Sequence, residues 1–191
     1  MILFGRFRES FADKWEHTMY YPKNYKFNCT VSVPDGYLNG QSLGTISAMK
    51  FGRKKVDDNG CGPIAIYNLM QYRGKMMPLP NIIRELEIYA APLGARGGTS
   101  GFLLMIFFLR HHIRFRLRWR IKRLDKADAG ILLYYVKRPI FSSGHFIFYR
   151  KAEDGRIAIY NRFSNCEEIY YVNSLREVRA QKMICMGFTF N

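Results

Sequence analysis

The order of elements predicts an α+β protein. Three observations carry this: a first half with helical patterning, a second half built of short strands, and a switch in apolar spacing between them. Helices followed by strands, instead of alternating with them, argue against a parallel βαβ sheet. At 191 residues the chain suffices for one compact domain with a core and is short for two. Its 48% hydrophobic and 16% aromatic content excludes a disordered chain.

Residues 1–50 carry turn signals at Pro22, Pro34–Gly36 and Asn39–Gly40 but no periodic pattern, and read as an N-terminal extension. Gly62 to Tyr72 is apolar or small on nearly every side, which predicts a buried helix with Pro63 in its first turn and Gly74 as its stop. A second helix is expected from Pro80 to about Tyr89, a loop over Pro92–Gly98, and a third helix through Leu109 capped by Thr99 or Ser100. From Ile113 to Lys122, Ile113, Phe115, Leu117, Trp119 and Ile121 alternate with Arg114, Arg116, Arg118, Arg120 and Lys122. This predicts a strand with one buried and one basic face, Phe115 and Trp119 pointing inward. Further strands are expected at 130–136, 145–151, 156–161, 168–172 and toward Phe190, with Asp154–Gly155 as a hairpin turn.

Thirty Lys and Arg against fifteen Asp and Glu leave a formal charge of +15, which attracts anions: nucleic acid, an acidic membrane surface or an acidic protein. Arg114, Arg116, Arg118 and Arg120 form a possible anion-binding face. Without an aromatic on that face, nucleic-acid binding is the less favoured use of it, and a solvated face or an acidic protein partner the more favoured. Cys29, Cys61, Cys166 and Cys185 are widely spaced with no C-x-x-C pair, so no zinc site is expected. Met1 to Ser10 holds no signal-type apolar run, and Phe102–Leu109 is too short to cross a bilayer. These features predict a soluble cytoplasmic protein with reduced thiols and no transmembrane segment.

The chemistry concentrates in Asn59-Gly60-Cys61-Gly62-Pro63. A cysteine opening a buried helix is expected to have a lowered thiol pKa, because the helix N-terminus favours negative charge. The flanking glycines would let a substrate backbone approach. Among His17, His111, His112 and His145, only His145 opens a core strand, after Ser142-Ser143-Gly144. The hairpin partner delivers Asn161 to the same sheet end, where its side chain could orient the imidazole, with Asn165 as a rival.

The run Lys55-Val56-Asp57-Asp58-Asn59-Gly60-Cys61-Gly62-Pro63, then Gly144-His145-Phe146-Ile147-Phe148-Tyr149, then Asp154-Gly155-Arg156-Ile157-Ala158-Ile159-Tyr160-Asn161, resembles the papain-like cysteine peptidases that process double-glycine leader peptides of bacteriocins. The resemblance covers roughly residues 55–165. It implies a papain-like α+β fold: one domain over 1–191, with 1–50 as extension, 55–165 as catalytic core and 166–191 as C-terminal strands. It also implies Cys61 as nucleophile, His145 as general base and Asn161 as third member, acting on a peptide or related acyl bond with no cofactor or metal. The family carries a Gln six residues before the Cys as oxyanion donor; here that position is Lys55, and Lys55 or Asn59 would have to serve. The leader peptidases sit at the head of an export ATPase, which these residues do not contain, so a leader-peptide substrate is not implied. The same dyad fits an acyltransferase or a degenerate, peptide-binding relative; a basic nucleic-acid-binding module is the alternative outside this class.

Overall fold

In a computed structural model the described residues are 21–90, 98–136, 143–179 and 183–190. His17 and most of the Pro92–Gly98 loop lie outside them, as do Ser142 and the side chain of Cys185. The fold is α+β. A helical stretch at residues 21–28 (α1) precedes a two-stranded antiparallel ribbon of β1 (Lys50–Phe51) and β2 (Lys54–Lys55). Then come α2 (Val56–Asn59), α3 (Cys61–Tyr72), α4 (Leu79–Ala90) and α5 (Gly101–Arg110). The second half supplies β3 (Arg116–Arg118), α6 (Ile121–Leu124), β4 (Ala129–Val136), β5 (Ser143–Lys151), β6 (Ile157–Tyr160), β7 (Tyr170–Val172), α7 (Leu175–Arg179) and β8 (Met183–Phe190). The strands β3 to β8 form one antiparallel sheet in the order β3-β8-β4-β5-β6-β7.

The sheet is covered on both faces, and the pleat sorts its residues. Phe146 and Phe148 of β5 join Ile131, Tyr160, Phe188 and Phe190 in a core shared with α3, α4 and α5. Ile147 and Tyr149 point the other way, into a second core with Leu124 of α6 and Leu175 and Val178 of α7. An unbroken apolar run such as Phe146–Tyr149 needs cover on both sides, which a single-faced sheet could not supply. Every residue of α3 from Cys61 to Met70 is buried, as its all-round apolar sequence predicts. Ser100 caps α5, its Oγ accepting the Leu103 N–H at 3.2 Å. Gly74, at φ 64, ends the turn after α3.

The basic segment departs from expectation. Only Arg116–Arg118 is a strand, at the sheet edge beside β8, and Ile121 lies on α6 instead of a continued strand. The chain leaves the sheet after Arg118 so that Ile121 and Leu124, at helical i,i+3 spacing, reach the second core. A Cβ at Gly187 of β8 would lie 2.5 Å from Leu124 Cδ2, so glycine there admits α6 onto the sheet. Trp119, expected inside, is 65% exposed at this exit.

Candidate active site

Cys61 is the first residue of α3 and only 8% exposed. The strand β6 pairs with β5 only from Phe148 to Lys151, so the first half of β5 has an edge that β6 does not cover. Cys61 lies against that edge, where its sulfur takes the Phe146 N–H. His145 is the preceding residue of β5 and stands directly opposite Tyr134 of β4, with ring centroids 5.4 Å apart. Tyr134 also feels the charge of Cys61. Cys61 thus lies against the backbone beside His145, 84 positions on in the chain, while the His145 ring shares its side of the sheet with Tyr134 and Ile147.

The thiol does not behave as the helix N-terminus alone predicts. Burial pushes the Cys61 thiol up, while the N–H groups of Phe146, Gly62 and Cys61 itself pull it down less strongly. Desolvation of a thiolate outweighs these hydrogen bonds here. The flanking glycines also have another use than substrate access. A Cβ on Gly60 would overlap the Val56 side chain, and one on Gly62 the Thr99 side chain. Both glycines let the chain pack on itself around Cys61.

His145 Nε2 is 2.6 Å from the main-chain oxygen of Asn161. A carbonyl only accepts, so Nε2 carries a proton. Asn161 thus orients the ring, but with its backbone and not its side chain as expected. The reason is local. Asn161 sits at φ 56, in the left-handed region that Asn tolerates better than most residues. Its side chain turns to Gln41: Oδ1 accepts the Gln41 N–H at 3.0 Å and Nδ2 donates to Gln41 Oε1 at 3.1 Å. The Asn161 N–H donates to Asn39 Oδ1. Asn165 is exposed on the following turn.

Of the two oxyanion candidates, Lys55 is exposed as the N-cap of α2. Asn59, two residues before Cys61, has a buried Nδ2 with no hydrogen-bond partner, and the Oγ1 of Thr99, which packs on Gly62, is also buried without one. Buried donors left unmade cost about 1–3 kcal/mol each, so they mark a place where a bound group would complete them. His111 is taken up by Glu85, at 2.8 Å, and packs on Phe107; His112 is exposed. Cys29 and Cys166 are free thiols, the Cys166 carbonyl lying against Gly40.

Sequence reasoning missed Gln41, Asn39, Thr99 and Tyr134. Gln41 is buried, and besides Asn161 it bonds the Asp57 carbonyl through Nε2 at 2.7 Å, tying the chain ahead of the nucleophile to both halves of the site. Tyr134 donates to the Arg162 carbonyl at 2.6 Å. Asn39-Gly40 carried a turn signal, realised as Gly40 at φ 70, but nothing in the string ties Asn39 to Asn161 122 positions away. Among the described residues there is no cluster of His, Cys, Asp and Glu fit to hold a metal, and no helix long and apolar enough to cross a membrane. No protein-family model matches the chain, and no curated protein matches it.

Proposed function

We propose that the protein is a papain-like cysteine peptidase in which Cys61 attacks a peptide or related acyl carbonyl and His145 is the general base. One observation carries the reading: the Cys61 sulfur, at the start of a buried helix, lies against the backbone of the strand on which His145 is held by the Asn161 carbonyl. In the proposed cycle Nδ1 of His145 takes the thiol proton as sulfur attacks the carbonyl carbon. The oxyanion is met by Asn59 Nδ2 and the N–H groups opening α3. The amine leaves with the proton from His145, and water, activated in turn, hydrolyses the thioester. The free thiols of Cys29, Cys61 and Cys166 fit a reducing, cytoplasmic setting.

A second reading is favoured by the burial that pushes the Cys61 thiol up and by Lys55 in place of the family's Gln: a relative that binds peptides without cleaving them. Iodoacetamide alkylation of Cys61 against pH separates the two. With the dyad intact, the rate steps up near the imidazole pKa of about 6.5, and His145→Ala removes that step, leaving only a limb above the thiol range of about 8.5. Identical profiles in wild type and variant, both with the high limb alone, exclude the base and leave the binding relative. Digestion of a peptide mixture, compared with Cys61→Ala and run with an added amine, then distinguishes hydrolysis from acyl transfer.

A further inference from the structure

The cationic segment does not take part in the site above. Arg114, Arg116, Arg118, Arg120, Lys122 and Arg123 place six cations in ten residues with no acid among them. None of their side chains makes a hydrogen bond or ion pair among the described residues; the ion pairs found there hold Arg110, His111, Lys151 and Arg156. Leu117 packs on the first core, so Arg116 and Arg118 project from the opposite face of the edge strand, the side of α6 where Lys122 and Arg123 are exposed. Arg114 and Arg116 line a crevice of about 250 Å³ with Phe115 and Thr189. The edge of β3 away from β8 has no strand partner among the described residues.

Such an edge is kept from aggregating by one or two cations, and six exceed that need. The decisive addition is Trp119. It lies between Arg118 and Arg120, and 65% of it is exposed, though a Trp gains by burial. An exposed indole whose chain neighbours are Arg118 and Arg120, next to a row of alternating arginines, combines a stacking platform with a track of positive charge. Those are the two parts needed to hold a strand of unpaired bases on a phosphate backbone.

We propose that the β3 edge and the turn into α6 bind single-stranded nucleic acid, the arginines following the phosphates and Trp119 stacking a base. An acidic peptide would use the charge and leave the indole idle; a duplex would offer it no base face. Fluorescence anisotropy of a labelled dT20 oligonucleotide against the full chain tests this. Six phosphate contacts give log affinity against log salt a slope of about −4. In Arg114→Gln/Arg116→Gln/Arg118→Gln the slope should fall to about −2. In Trp119→Ala the affinity should drop about tenfold at unchanged slope. Cys61→Ala should bind as wild type does. Absence of saturable binding at low salt overturns the proposal. So does a Trp119→Ala variant that binds like wild type, or equal affinity for polyglutamate, for a duplex of the same length or for anionic vesicles.

Discussion

Asn59 isolates the oxyanion question at one side chain. Its Nδ2 is buried and unpartnered. Alkylation by iodoacetamide displaces iodide and develops no oxyanion, whereas acylation by p-nitrophenyl acetate does. Asn59→Ala is expected to slow acylation of Cys61 by about a hundredfold, the usual loss for one oxyanion donor, and to leave alkylation unchanged. Lys55→Ala, at an exposed position, should alter neither. Equal losses in both reactions would mean that Asn59 supports the fold and not the oxyanion. The residues of this pair were visible in the sequence because Cys-Gly-Pro before an apolar run marks a helix start. Their ranking was not, since a hydrogen bond left unmade is a property of packing. The thiol illustrates the same limit: a helix N-terminus is local and legible, but the burial that outweighs it arises from packing across the chain.

At the scale of elements, two contacts hold the helices to the site and yield separate expectations. Gly62 lets α3 sit against Thr99 ahead of α5, and Gly62→Ala forces an overlap that should cost about 1–3 kcal/mol. Chemical denaturation should show that loss, and Thr99→Gly in the same chain should recover most of it. On α4, Glu87 is buried and its Oε1 accepts from Asn24 of α1 and from the Gly52 N–H, both at 2.7 Å. Burial raises its pKa from 4.5 to about 7, with the Asn24 and Gly52 bonds opposing. The folded carboxyl thus keeps its proton where the unfolded one has lost it. Its contribution is fully present below pH 4.5 and is lost as pH rises to about 7, by roughly 3 kcal/mol. Glu87→Gln keeps the acceptor without the titration. Thermal melts should therefore show a flatter decline between pH 5 and 7 for the variant and a higher Tm at pH 8. Parallel pH curves would remove Glu87 as the cause. The helices α3, α4 and α5 were legible from apolar periodicity and the Ser100 cap, whereas α1, α2, α6 and α7 were not. The edge strand was overextended because strict alternation through Ile121 suits a strand, while the demand of the second core for Ile121 and Leu124 is not written in the spacing.

Across the whole molecule the charge sets a further expectation. Thirty cations face fifteen acids, and few of them are paired among the described residues. Folding draws these charges together, so self-repulsion works against the compact state. At about 10 mM ionic strength the Debye length is roughly 30 Å, comparable to the size of a domain; at 0.15 M it is about 8 Å and the repulsion is confined to neighbours. Added sodium chloride should therefore raise Tm steadily over this range. Much of the repulsion comes from one stretch, Arg114 to Arg123, where exposed cations share a strand edge and the adjoining helix. Arg114→Gln/Arg116→Gln/Arg118→Gln should thus be more stable than wild type at 10 mM salt and close to it at 0.3 M. A Tm that falls with salt would mean that ion pairs such as Arg156–Asp154 dominate the surface. If the variant instead follows wild type at every salt concentration, the repulsion is spread over the molecule and the edge holds no special share of it. The expected convergence at high salt would show that the edge carries its charge at a standing cost to stability, which an anionic partner seated on it would offset.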